Sequence, residues 1–281
     1  MELDEGLLKE NVTRAIAGDK GALTKVIKSV QPGIYALAQR FLWHPQDAED
    51  ATQEILIKVI THLSSFRAES RFTTWVYRIG ANTLLSLTAK RMEKNAVSFT
   101  DFADDLSDGL SESISYTDKS PELSLLLEEV KVGCTLAMLM CLDRKHRLAY
   151  ILGEIMELAQ LEAASVLDIS PTAYRKQLSR AREKVNGFTA DYCGLVAPEN
   201  SCRCSKRVDR AIELKRVNPS HIIFATDLEQ ARSFPMVLEK IRSLDLTRRA
   251  AALYRSHSHV PASPQFHLWL RALLRETELD S

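Results

Sequence analysis

The chain has 281 residues, 37 basic against 37 acidic, with 45% hydrophobic residues and only 10 Gly and 9 Pro. That length allows two or three small domains with real cores, and the composition is that of a folded, helix-rich protein. No apolar run reaches the roughly 18 residues of a membrane span and no signal-peptide pattern opens the chain, so a cytoplasmic protein is expected. The zero net charge hides an uneven distribution: residues 96–128 carry one basic residue against eight acidic, while the segments on either side are mildly basic. Local fields, not the sum, decide which partners are attracted.

In chain order, a short helix is expected within residues 1–20. An apolar-periodic helix follows from Leu23 to Leu42, with a predicted interruption near Pro32. From Asp47 to Phe66 the sequence DAEDATQEILIKVITHLSSF gives an amphipathic helix. Ala48, Thr52, Ile55, Leu56, Val59 and Leu63 share one side, and Asp50, Gln53, Glu54, Ile57 and Thr61 the other, with Lys58 beside them. An ordinary surface helix accounts for most of this pattern. Ile57, apolar among exposed polar residues, is the one hint of a docking face.

After Arg67-Ala68-Glu69-Ser70-Arg71, a third helix is expected over FTTWVYRIGANTLLSLTAKR. Phe72, Val76, Ile79, Thr83 and Leu87 are placed inward, and Arg71, Thr74, Arg78, Asn82 and Leu85 outward, with Trp75 near the boundary. Aromatics beside arginines suit stacking on unpaired bases and neutralising phosphates, although core aromatics capped by solvated charges read the same way. Residues 91–122, rich in Ser, Asp and Gly, are predicted to be a flexible acidic linker. Two further helices are expected from Leu123 to Leu142 and from His146 to Met156, with Cys134 and Cys141 as small buried residues.

Leu158 to Val185 then reads as a helix-turn-helix. Ser170 is placed to cap the second helix and Pro171 to occupy its first position. Tyr174, Leu178, Ala181 and Val185 share the buried face, and Thr172, Arg175, Lys176, Ser179 and Arg180 the exposed one, with Arg182 at the margin. The tail continues with basic helical material to Arg216 and two helices near Leu228 to His257 and Gln265 to Arg275. Its thiols, Cys193, Cys202 and Cys204, permit three readings. They are a zinc site completed by one of His221, His257, His259 or His267; a redox-sensitive set; or a structural knuckle without metal.

With these strings in hand, the chain resembles the extracytoplasmic-function class of bacterial RNA polymerase sigma factors over roughly residues 20–187. DAEDATQEILIKV resembles that family's core-polymerase-binding helix, FRAESRFTTWVYRIGAN its −10-reading segment, and ISPTAYRKQLSRAR its −35 recognition helix. The resemblance implies an all-α protein with residues 1–95 as a region-2-type domain and 96–122 as the acidic linker. Residues 123–188 would be a region-4-type domain, and 189–281 a C-terminal extension with a possible regulatory role. It implies that Asp47, Asp50, Gln53, Glu54, Ile57 and Lys58 meet core polymerase. It further implies that Arg67, Arg71, Trp75, Arg78 and Asn82 meet the −10 strand, with the Arg67–Arg71 loop accepting a flipped base. Thr172, Arg175, Lys176, Ser179 and Arg180 would enter the −35 major groove. Asp168 stands where the family usually has Gly, and Ala81 where a basic residue is common.

The implied partners are core polymerase, promoter DNA, and an anti-sigma protein or the chain's own extension; no cofactor is required for this role. The other reading is a stand-alone helix-turn-helix regulator with a metal- or redox-sensing tail. No phosphate loop, nucleophile elbow or carboxylate pair marks a catalyst, so no enzyme is expected.

Overall fold

The computed structural model describes residues 5–87, 98–108, 110–111, 120–257 and 260–279. Among these every regular element is helical, and the only β-type pairing is a single parallel bridge between Cys193 and Cys202. Contacts divide the chain into two units. One collects Met1–Lys90, Ala159–Tyr174 and Ala262–Ser281; the other collects Arg91–Leu158 and Arg175–Pro261.

The first unit is built on α1 (Glu5–Ile16), α2 (Lys20–Leu42), α3 (Pro45–Thr61) and α4 (Phe72–Ser86). Asp19 caps α2, accepting the Ala22 N–H at 2.8 Å. α2 runs unbroken through Pro32, contrary to the predicted interruption. The buried residues on either side of that proline, Val26, Ile27, Val30, Ile34, Tyr35 and Leu37, hold the helix across it, so packing overrides the lost hydrogen bond. Trp43, at φ +69, turns the chain into Pro45 at the start of α3.

Two segments distant in sequence complete this unit. α8 (Gln160–Val166), the first helix of the helix-turn-helix, packs on α4, and α13 (Pro264–Leu279) packs on α2. α13 is fixed at its start by Glu49, 3% exposed in α3, whose carboxylate accepts the Ser263 N–H at 2.6 Å and the Ser263 hydroxyl at 2.8 Å. One turn on, Phe266 is 1% exposed with its ring 6.1 Å from that of Tyr35.

In the second unit, the segment expected to be a structureless linker contains α5 (Phe99–Asp108). Ser98 and Asp101 form a reciprocal cap, each side chain accepting the other's backbone N–H. Phe102, Ala103 and Leu106 are buried, and Phe102 stacks on Phe188 at 5.4 Å. The short apolar stripe was hidden by the acidic residues around it. Residues 91–97, 109 and 112–119 of the expected linker lie outside the described residues.

α6 (Pro121–Met140) is the unit's spine, followed by α7 (Arg144–Tyr150) and a π-turn at Ile151–Ile155. α10 (Cys204–Glu213) and α11 (Leu228–Arg242) pack on α6, and α12 (Leu246–Arg255) packs on α11. The tail helix expected over Leu228 to His257 is thus two, because Asp245 starts a new helix after Ser243 closes α11. Buried Glu129 of α6 accepts three consecutive backbone N–H groups, from Ile223, Phe224 and Ala225, at 2.6–3.0 Å. Arg147 reaches back from α7 to the last carbonyls of α6.

Asp105 in α5 accepts from Arg207 at 2.9 Å and Arg216 at 2.6 Å. Burial pushes its carboxyl up, and the two guanidiniums outweigh that, holding it below the ordinary 3.8. The sign follows: a depressed folded pKa gives stability that is complete above the unfolded pKa and lost as pH falls through the folded one. Asp105→Asn is therefore expected to unfold at lower urea than wild type at pH 7, the gap closing as pH falls below 3.8. A gap independent of pH would mean the pair contributes shape, not charge.

Candidate nucleic-acid interface

Three surfaces carry the residues singled out in the sequence. On α3, Ala48, Ala51, Thr52, Ile55, Leu56 and Val59 are buried, so the helix turns its other side outward. Asp50 is exposed, Asp47, Gln53 and Glu54 are half-buried, and Ile57 is 45% exposed. Lys58 bonds Glu54 at 2.7 Å and the Thr83 hydroxyl at 3.2 Å, which sets it at the edge of the stripe. The result is an acidic and amide row with one apolar residue at its centre.

The second surface is the loop before α4 and the helix itself. Phe66, Phe72 and Trp75 pack as an aromatic triad, with Phe72 and Trp75 stacked at 5.6 Å and Phe66 edge-on to Phe72 at 5.2 Å. Ala68 adopts φ +57, a conformation costing a β-carbon-bearing residue of order 1–3 kcal/mol. Arg67 is exposed; Arg71, also exposed, lies 3.2 Å from Glu5 of α1. A cavity of about 240 Å³ opens between this loop and α1. Farther along α4, Asn82 is exposed, whereas Thr74 and Arg78 are engaged by α8. Thr74 donates to Glu162 at 2.8 Å, and Arg78 donates to the Ser165 carbonyl at 2.9 Å and hydroxyl at 2.8 Å. The wheel placed Thr74 outward; it is 3% exposed because α8 covers it.

The third surface is α9 (Pro171–Tyr192), which runs beyond the pattern ending at Val185. Asp168 takes φ +52 in the turn, and the Ser170 hydroxyl caps the helix through the Ala173 N–H at 3.2 Å. Tyr174, Ala181 and Val185 are fully buried and Leu178 nearly so, while Thr172, Arg175, Lys176, Ser179 and Arg180 are all exposed. Arg182 at the margin pairs with Glu154. Five polar or cationic side chains on the outer face of a capped helix after a left-handed turn form a row that fits a major groove.

A family model described as Sigma-70 region 2 matches residues 26–106, which include the α3 row and the α4 loop. The RNA polymerase sigma-H factor of Pseudomonas aeruginosa is 30% identical over 178 residues, covering 62% of this chain and 90% of that protein. The chain belongs to the extracytoplasmic-function class of RNA polymerase sigma factors. The sigma factor SigW of Bacillus subtilis is 27% identical over 184 residues, 64% of this chain and 95% of its own. The solved complex of CnrH with the cytosolic domain of CnrY overlays with a TM-score of 0.46 at 20% identity, covering 63% of this chain and 94% of that one. As a member of this class the protein is an alternative sigma factor directing transcription initiation, which decides between the two readings of the sequence.

The tail thiols lie away from these surfaces in sequence and are brought together by folding. Cys193 and Cys202 pair across the parallel bridge, and Gly194 has no room for a β-carbon against the Cys202 carbonyl and the Arg203 guanidinium. Cys134 of α6 joins their electrostatic neighbourhood, a member the sequence did not suggest. Burial pushes the Cys202 thiol up to about 11 and raises Cys193, Cys204 and Cys134 as well. Among the described residues no three His, Cys, Asp or Glu side chains are placed as metal ligands, and His259 lies outside those residues.

Two features of the site were not legible in sequence. Ser165 and Glu162 reach Thr74 and Arg78 across almost 90 residues, and α1 walls the cavity beside the Arg67–Arg71 loop.

Proposed function

We propose that this sigma factor binds core polymerase through Asp47, Asp50, Gln53, Glu54, Ile57 and Lys58. It reads the −10 strand with Arg67, Arg71, Trp75, Arg78 and Asn82, and the −35 element with Thr172, Arg175, Lys176, Ser179 and Arg180. The observation carrying this reading is α9, where Tyr174, Leu178, Ala181 and Val185 are buried and Thr172, Arg175, Lys176, Ser179 and Arg180 are all exposed. The chemistry is binding and strand capture in the cytoplasm, with no covalent catalysis. Domains follow chain order in this reading, with the region-2-type block at 1–95, the linker at 96–122, the region-4-type block at 123–188 and the extension at 189–281.

Arg78 and Thr74 are held by α8 in the free protein, so promoter reading requires α8 to leave α4. Binding of core polymerase supplies that release. An anti-sigma protein would act by preventing it. The chain's own last helix is a second restraint, because it is seated on Glu49, one residue from Asp50. The thiols Cys193, Cys202 and Cys204 belong to the extension and take no part in promoter recognition in this reading.

Pull-down of purified core polymerase tests the first step. Asp50→Ala/Glu54→Ala is expected to bind at least about tenfold more weakly than wild type, the loss of roughly 1.4 kcal/mol typical of interface truncations. Asp50 is exposed and Glu54, half-buried, bonds only Lys58 on the outward side of α3, so the buried face of the helix is intact in the double variant. Equal binding would remove α3 from the interface.

A further inference from the structure

Folding sets two thiols of the extension beside each other. Cys193 directly follows α9, its N–H donating to the Thr189 carbonyl at 3.0 Å, and Cys202 lies two residues before α10. The parallel bridge pairs these two residues. Paired residues of neighbouring strands stand about 4.7–4.9 Å apart with side chains on one face, inside the roughly 4.4–6.8 Å that a disulfide spans between α-carbons. The Gly194 N–H donates to the Cys202 sulfur, which brings that sulfur to the peptide next to Cys193. Both residues are thiols and both are partly exposed, so a small oxidant reaches them. The loop between them is fixed by three guanidiniums. Arg242 donates to the Gly194 carbonyl at 2.8 Å, Arg249 to that of Val196 at 2.9 Å and Arg203 to that of Pro198 at 2.7 Å.

We propose that Cys193 and Cys202 are a peroxide-oxidisable dithiol whose disulfide closes the loop after α9. One thiolate attacks hydrogen peroxide, breaking its O–O bond to give a sulfenic acid and, with a proton, water. The second sulfur attacks the sulfenic sulfur, forms the S–S bond and expels the hydroxyl as a second water. Two thiols thus give up two electrons and one peroxide becomes two waters. N–H groups of Leu195 and Val196 and the Arg203 and Arg242 guanidiniums favour the Cys193 thiolate, but burial outweighs them. The thiolate is therefore scarce, and the pair answers sustained peroxide and not a brief pulse. Val196 of the closed loop packs with Ile241 of α11 and Leu253 of α12. The cross-link therefore locks the seat of the extension at the end of α9.

Peptide mapping of the full chain tests this after peroxide treatment, alkylation and trypsin digestion. Cleavage after Lys184 and Arg203 leaves both thiols in one peptide, 185–203, and Cys204 in the next, 204–206. Oxidised wild type is expected to yield 185–203 two hydrogens lighter, its alkylation at least about tenfold below the reduced control. Peptide 204–206 stays alkylated, and Cys204→Ser leaves the lighter peptide unchanged. Hydrogen exchange at the Val196 and Ala197 amides should slow at least about threefold on oxidation, because a closed loop has fewer open states. Unchanged exchange overturns the lock on the loop. A product joining 185–203 to 204–206 overturns the pairing, as does the same mixture of pairings in urea as in buffer. A stoichiometric zinc ion in the purified chain that shields both thiols until it is chelated makes them metal ligands and overturns the dithiol.

Discussion

Arg147→Ala is expected to lower the stability of the second unit by about 2–4 kcal/mol, the cost of leaving buried backbone acceptors without their donor and losing the packing of the side chain. The Arg147 side chain, 3% exposed, donates to the Leu139 carbonyl through Nε at 3.0 Å and through Nη2 to those of Leu142 at 3.0 Å and Met140 at 3.4 Å. These are carbonyls of the last turn of α6 and just beyond it, which have no partner of the ordinary helical kind. The cation also sits at the negative end of the α6 dipole. Alanine removes this donor from the Met140 and Leu142 carbonyls at about 1–3 kcal/mol each, partly relieved by relaxation, while the Leu139 carbonyl keeps the Leu142 N–H at 3.1 Å.

Arg147→Lys should recover little, because a point ammonium cannot match the fork that spans these acceptors. Urea unfolding followed at several wavelengths, with hydrogen exchange of the α6 amides, measures the effect. A loss below 1 kcal/mol would show that water reaches the carbonyls once the guanidinium is gone.

Phe266→Ala is the second large expectation. The ring is 1% exposed and lies against Tyr35 in the core of the first unit, with Leu270 and Leu274 buried behind it. Truncating a buried Phe costs about 3–5 kcal/mol where the site stays formed. Here the smaller route is for α13 to undock, so the loss is read as exchange of the α13 amides and not as global unfolding. Glu49→Gln should act in the same direction by about 1–2 kcal/mol, since the neutral amide is a weaker acceptor for the Ser263 N–H and hydroxyl. If α13 protection were unchanged in Phe266→Ala, the aromatic contact would not be what seats the helix.

The helical faces were legible because each is periodic and local. Tyr174, Leu178, Ala181 and Val185 repeat every three or four residues, and all four are buried in α9, with Phe188 and Thr189 continuing the face. The turn was legible too, since Asp at position 168 tolerates the left-handed conformation it adopts. Where local signals competed, the weaker one was lost. Four acidic residues in 99–108 obscured the stripe of Phe99, Phe102, Ala103 and Leu106, and Pro32 suggested a break that the packing around it prevents.

What lies beyond local reading is the company each element keeps. Nothing near Arg78 announces Ser165, and nothing near Glu49 announces Ser263, because each pairing is made by the fold and not by the neighbouring sequence. The same holds for the cavity, whose aromatic side was visible in FRAESRF but whose α1 wall was not.

The bond between Glu49 and Ser263 joins positions 214 residues apart in the chain. A ribosome adding about 5–20 residues per second makes the second partner roughly 10–40 s after the first. Throughout that interval the helices of the N-terminal block can assemble while the Glu49 carboxylate faces water and the place of Phe266 beside Tyr35 is open. A nascent chain thus carries α3 without its bond to Ser263, and only one extended past that residue acquires it. Premature termination anywhere before Ser263 would release a product with that restraint missing for good.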